Sequence, residues 1–283
     1  MDRRPEILAR VVVTAMNLRA ILIATALLLI AANASAQVDP FEFEVYPYQT
    51  EGKGMVELES LNSFVPNGHN HGGAGTSAGD FASQAMYRTA FELTYGLTDH
   101  LEAAAYLNLA HSNGDSFQYA GSKFRVRGSL FEQSELPVDL GWYLELEWHR
   151  TPQFDDNQLE LEFKGIIEKD IRKFQISLNP IFEKAAFVGP NKNKGIAFGY
   201  AAGIYYNYLR EISPGLEFYG AVGLIDDNDP LQAQQHYIFP VLRGDLPSGI
   251  EYSVGPGIGL TRGSDRVIVK FNLELEHFIG TLF

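Results

Sequence analysis

The 283-residue sequence predicts an all-β fold, a closed antiparallel transmembrane β-barrel of about twelve strands, preceded by a cleaved signal peptide. Three observations predict it. Runs of alternating apolar and polar residues, each about nine to twelve long, recur from residue 56 onward. The connections between them alternate between short and long. The final run, R-V-I-V-K-F-N-L-E-L-E-H-F-I-G-T-L-F at 266–283, sets Val267, Val269, Phe271, Leu273 and Leu275 on one face and Lys270, Asn272, Glu274 and Glu276 on the other. It ends on Phe283, on the apolar parity.

Residues 1–36 read as a signal peptide. Arg10 and Arg19 precede an apolar run at 20–32, and Ala34-Ser35-Ala36 supplies the small-x-small cleavage pattern. That run is too short to be a convincing spanning helix. Met16 opens a compact signal of its own, so the start is either Met1 or Met16. Residues 37–54 read as an N-terminal periplasmic leader. Its run F-E-F-E-V-Y-P-Y at 41–48 alternates until Pro47, which cannot donate to a central ladder, so an edge segment is expected at best.

Residues 55–283 read as the barrel. Strands are expected at 56–65, 86–95, 101–111, 123–131, 138–149, 158–168, 174–183, 197–209, 215–225, 235–243, 249–260 and from 267 to the end. Each is close to the length a tilted strand needs to cross a bilayer. Short connections fall at 96–100, 132–137, 169–173, 210–214 and 244–248. Longer ones, rich in Gly, Asn, Asp and Ser, fall at 66–84, 112–122, 150–157, 184–196 and 226–234. Short periplasmic turns opposite longer outer loops are the habit of outer-membrane barrels. The connection at 261–266 should be long and is not. An even strand number returns both barrel ends to the periplasmic side.

Composition agrees. Cysteine is absent, so an exported chain must be held by something other than disulfides. Removing the signal leaves 22 − 4 = 18 basic and 35 − 2 = 33 acidic residues, which excludes the basic face that nucleic-acid binding needs. Mean hydropathy is −0.10 because lipid-facing and lumen-facing residues cancel in any window.

The segment F-E-L-T-Y-G-L-T-D-H-L-E-A-A-A-Y-L at 91–107, with its core Y-G-L-T-D-H-L-E, resembles a hairpin of a poorly characterised family of proteobacterial outer-membrane β-barrels. S-V-G-P-G-I-G-L at 253–260 is similar to a late strand of the same group. The resemblance implies putative transporter barrels linked to aromatic-compound degradation. It implies no particular solute.

Parity assigns the candidate lumen-lining residues Arg88, Lys123, Arg125, Arg127, Glu145, Glu147, Glu160, Glu162, Lys164, Glu274 and Glu276. The turn near 133–136 sets Arg125 opposite Glu145 and Lys123 opposite Glu147, within a residue or two of register, each worth roughly 0.2–1 kcal/mol as a cross-strand pair. The next loop sets Glu147 near Glu160 and Glu145 near Glu162, which are like charges. The expected function is a passive channel or uptake porin for a small solute, weakly cation-selective. The alternative is a structural or lipopolysaccharide-contacting barrel with a plugged lumen. A third reading, an outer-membrane lipid hydrolase, rests on His111-Ser112-Asn113-Gly114. Adjacent His and Ser point to opposite faces of a strand, so no enzyme is assigned. His69-x-His71 and the aspartates at 155–156 and 226–229 read as solvated loops, so no metal or other cofactor is assigned. Expected partners are outer-membrane lipid and lipopolysaccharide, the barrel-assembly machinery, for which Phe283 would be the signal, and the solute.

Cleavage after Ala36 predicts that N-terminal sequencing of the membrane-extracted protein starts at Gln37. A start within 1–32 would refute it.

Overall fold

In the computed structural model the described residues are 37–69, 82–111, 116–150, 159–186, 195–247 and 249–275. The alternating runs form twelve long strands. They are β1 (Val56–Asn67), β2 (Tyr87–Thr98), β3 (Leu101–His111), β4 (Gln118–Ser129), β5 (Asp139–His149) and β6 (Glu160–Ile171). They continue as β7 (Phe174–Ala185), β8 (Ala197–Tyr206), β9 (Ser213–Leu224), β10 (Gln235–Asp245), β11 (Ile250–Gly259) and β12 (Val267–Leu275). A two-residue strand, Asp227–Asn228, folds back on the end of β9.

Every long strand pairs antiparallel with its neighbours in the chain, and β12 returns to pair with β1. Leu58 faces Leu275 and Ser63 faces Lys270 across that seam. The sheet is therefore closed. Closure leaves no unpaired edge, which a membrane wall requires because hydrocarbon offers backbone groups no partner.

Burial is inverted relative to a water-soluble protein. On β5, Asp139, Tyr143, Glu145, Glu147 and His149 are buried, while Leu144, Leu146 and Trp148 are exposed. On β6, Glu162, Lys164 and Glu168 are buried while Leu161 and Phe163 are exposed. Phe124 is 62% exposed beside Lys123 at 1%. In water such a surface would be a large apolar patch with no reason to persist. Against lipid it is the expected wall.

The strand bounds follow the sequence reading closely, with one instructive difference. β4 begins at Gln118 rather than at 123. Asn108 pairs with Gly121 and Leu109 with Tyr119, so Ala120 is an extra residue in the ladder, a β-bulge. The bulge flips the parity. It allows Tyr119 and Phe124 both to face outward, and it hides the alternation from a period-two reading of 118–122.

The five turns, the start of β1 and the end of the described part of β12 lie at one end of the barrel, and the longer connections leave from the other. The turn end is the periplasmic one by loop length. Gly96, in the Y-G-L-T-D-H-L-E hairpin, has a structural reason there. A Cβ on it would lie 2.0 Å from the Gly52 carbonyl oxygen. Its backbone instead accepts from Gly54 N at 2.8 Å and donates to Met55 O at 3.0 Å, which docks the chain entering β1.

Leu144→Arg, near the middle of β5 on the lipid face, should lower the unfolding free energy by about 2–4 kcal/mol. Urea unfolding in detergent micelles or vesicles measures it. An unchanged value would mean that this face does not meet hydrocarbon.

Candidate functional site: the barrel lumen

The leader at 37–54 is not on the periplasmic side, as the sequence reading had it. It runs through the lumen. At the loop end, Val38 N donates to Gln235 Oε1 on β10 at 2.9 Å. At the turn end, Glu51 N donates to Glu102 Oε2 at 2.6 Å and Thr50 Oγ1 to Asp99 O at 3.3 Å. Between these points consecutive residues reach opposite walls. Glu42 pairs with Lys164 on β6, and the Phe43 carbonyl accepts from Lys270 on β12, six strands away, at 3.0 Å. The leader thus lies along the barrel axis.

Its alternation has a purpose that the edge-strand reading missed. The run pairs with no described strand. The backbone bonds instead to side chains of the wall: Asn179 accepts from Tyr46 N at 2.8 Å and donates to Tyr46 O at 3.1 Å. Phe43 packs on Tyr219, Tyr237 and Phe239, with ring centroids 5.1–5.8 Å away. Phe41 enters a cluster with Leu61, Ala90 and Tyr106. Tyr46 sits 4.8 Å from Tyr143, and Lys164 lies over both rings at 4.9 and 4.4 Å. Apolar residues of the leader cover aromatic wall, while Glu42 meets the basic stripe.

That stripe is where the charge network concentrates. Lys123 is ion-paired to Asp39, to Glu42 at 2.9 Å, to Glu145 at 3.2 Å and to Glu147 at 3.5 Å. Lys164 bridges Glu42 and, at 3.0 Å, Glu162. Arg125 pairs with Glu92 and, at 2.9 Å, Glu102, and Arg127 with Glu102 at 2.8 Å. Lys270 pairs with Glu217. These groups are nearly all excluded from bulk water, where an unpaired charge would be costly.

The registers predicted from the turns are observed: Lys123 faces Glu147, Arg125 faces Glu145, Glu145 faces Glu162 and Glu147 faces Glu160. Register alone did not decide the partners. Arg125 reaches the other way, to β2 and β3, and leaves Glu145 to Lys123 and to the Tyr143 hydroxyl at 2.6 Å. Of the other candidates, Arg88 is buried, while Glu160 lies 3.8 Å from His149 and Glu274 is half-buried on β12. Glu276 and Phe283 lie outside the described residues, as do Ser112–Gly114 of the His-Ser-Asn-Gly segment. Asp39 and Glu42 were missed. The clue in the sequence was an acidic–aromatic alternation with no strand partner.

Space remains on the turn side of the leader. One cavity of about 490 Å³ is lined by Glu44, Glu57, Glu59, Glu92, Arg125 and Arg127, among others. A second of about 510 Å³, on the other flank of the leader, is lined by Tyr205, Glu217, Arg243, Glu251, Lys270 and Glu274, among others. The two share Glu44, Pro47, Gln49, Glu59, Glu251 and Glu274, so the leader divides one polar vestibule.

No protein-family model and no curated protein sequence matches the chain. Solved structures do. The chain is similar to the COG4313 outer membrane channel from Pseudomonas putida F1, with TM-score 0.56 and 12% identity over 82% of this chain and 100% of that one. It is also similar to the KdgM porin, with TM-score 0.51 and 8% identity over 77% and 98%. The fold is that of an outer-membrane β-barrel.

Glu42→Gln removes the carboxylate shared by Lys123 and Lys164. The loss should be about 3 kcal/mol, the lower end of what breaking a buried pair costs, because both lysines keep other carboxylates. Urea unfolding followed through tyrosine and tryptophan fluorescence measures it. No loss would mean that the leader leaves the lumen in solution.

Proposed function

We propose that the protein is a passive outer-membrane channel for small solutes, whose conducting path is bounded by its own N-terminal leader. The observation that carries this is a closed twelve-strand wall around a charged, partly open lumen, with the leader on its axis. A polar interior of this kind passes or orients small polar molecules and ions through the charges that line it. In this reading residues 1–36 are removed on export and 37–54 form the leader. Arg88, Lys123, Arg125, Arg127, Glu145, Glu147, Glu160, Glu162, Lys164, Glu274 and Glu276 line or brace the path. Outer-membrane lipid and lipopolysaccharide contact the wall, the assembly machinery inserts it with Phe283 as its signal, and the chain is not an enzyme. The likeness of 91–107 to transporter barrels linked to aromatic-compound degradation makes small aromatic compounds the first solutes to test.

The second reading, a structural barrel with a plugged lumen, is favoured by the buried ion pairs that hold Asp39 and Glu42. Planar-bilayer recording separates the two. The mature chain should conduct weakly with cation preference, and a chain lacking 37–50 should conduct several-fold more. Silence of both chains would support the structural reading. Equal conductance would mean that the leader does not bound the path.

A further inference from the structure

Among the described residues, two rows of three or more directly opposed glutamates cross the wall, in different surroundings. On one side Glu145, Glu162 and Glu183 stand in register on β5, β6 and β7, with Lys123 and Lys164 beside them. On the other side Glu92, Glu59, Glu274 and Glu251 stand in register on β2, β1, β12 and β11. Like charges directly opposite destabilise a sheet. At the margin of this second row Arg125 takes Glu92 Oε1.

Glu59 is the centre of the row. It is 7% exposed, and among the described residues no donor or cation reaches its carboxylate. Carboxylate oxygens of Glu44, Glu59 and Glu92 all lie within 4.8 Å of one another, and so do those of Glu57, Glu59 and Glu274. Glu92 Oε2 and Glu44 Oε2 are buried with no hydrogen-bond partner among the described residues. A buried, unpaired carboxylate is costly, and several converging on one point are more so. A hard divalent cation removes that cost. Calcium binds oxygen at 2.3–2.6 Å, so two oxygens on one ion lie up to about 5 Å apart, which matches the spacing here. Calcium also accepts six to eight ligands in irregular geometry. The adjoining cavity of about 490 Å³ gives an ion and its waters a way in.

We infer that Glu44, Glu57, Glu59, Glu92 and Glu274 form a calcium-type divalent-cation site on the turn side of the lumen. Glu44 belongs to the leader and the other four to β1, β2 and β12. The ion therefore ties the leader to the wall, at a place distinct from the Lys123–Lys164 network that holds Glu42. The sequence reading assigned no metal because these carboxylates are spread over four separate segments.

The test uses the full mature chain in detergent micelles, stripped with chelator and titrated with calcium chloride by calorimetry, alongside thermal unfolding. Saturable binding and a calcium-dependent rise in Tm are expected. Glu59→Gln should weaken binding at least tenfold, and Glu274→Gln should weaken it too. Asp227→Asn, in the exposed turn after β9, should leave it unchanged. Absence of calcium-dependent heat and Tm shift in the unaltered chain would overturn the proposal. So would wild-type affinity in both glutamine variants, or binding that disappears with Asp227→Asn.

Discussion

A strand in hydrocarbon must satisfy every backbone donor and acceptor from its neighbours, and the pairing of β12 with β1 meets that demand for this chain. Closure has a consequence for the side chains. With period two, half of them must point at lipid and half into an enclosed space. Most leucines and phenylalanines of the strands take the first side, and lysines, arginines and glutamates take the second. An enclosed space of low polarisability then sets a second demand, that the charges in it be matched. The first demand shapes the wall and the second shapes what lies inside.

The leader answers the second demand. Lys123 and Lys164 project from β4 and β6 and meet the wall carboxylates Glu145, Glu147 and Glu162, and Glu42 of the leader reaches both lysines. Arg125 turns to Glu92 and Glu102, so the cross-strand carboxylate Glu145 is left to Lys123. The aromatic side chains of the leader then fill the lumen beside the charges. Phe43 and Tyr46 pack on rings of β5, β9 and β10 and fix the segment's height in the barrel. The open vestibule survives on the turn side, beside Glu59, which no cation reaches among the described residues.

Much of the wall was legible from residue order alone. Strand positions came from alternation, and the connections set approximate registers, so that Lys123 opposite Glu147 and Glu145 near Glu162 were legible to within a residue or two. β4 was read short because the bulge at Ala120 breaks the period. The leader was read as periplasmic because Pro47 argues against a ladder strand. That argument was sound: the segment is in no ladder. It said nothing of the lumen as an alternative place for an extended run.

What the sequence by itself determined is therefore the barrel: an all-β wall of about twelve strands, its lipid and lumen faces, and the rows in which its charges stand. Those depend on near neighbours, on a two-residue period and on turns of a few residues. Only the tertiary structure decided which charge answers which, that the leader passes along the axis, and that glutamates from four segments converge on Glu59. Glu42 and Lys164 are 122 positions apart, and no local pattern couples them. They meet because closing the sheet brings distant strands around one narrow space, where an uncompensated charge is too costly to leave alone.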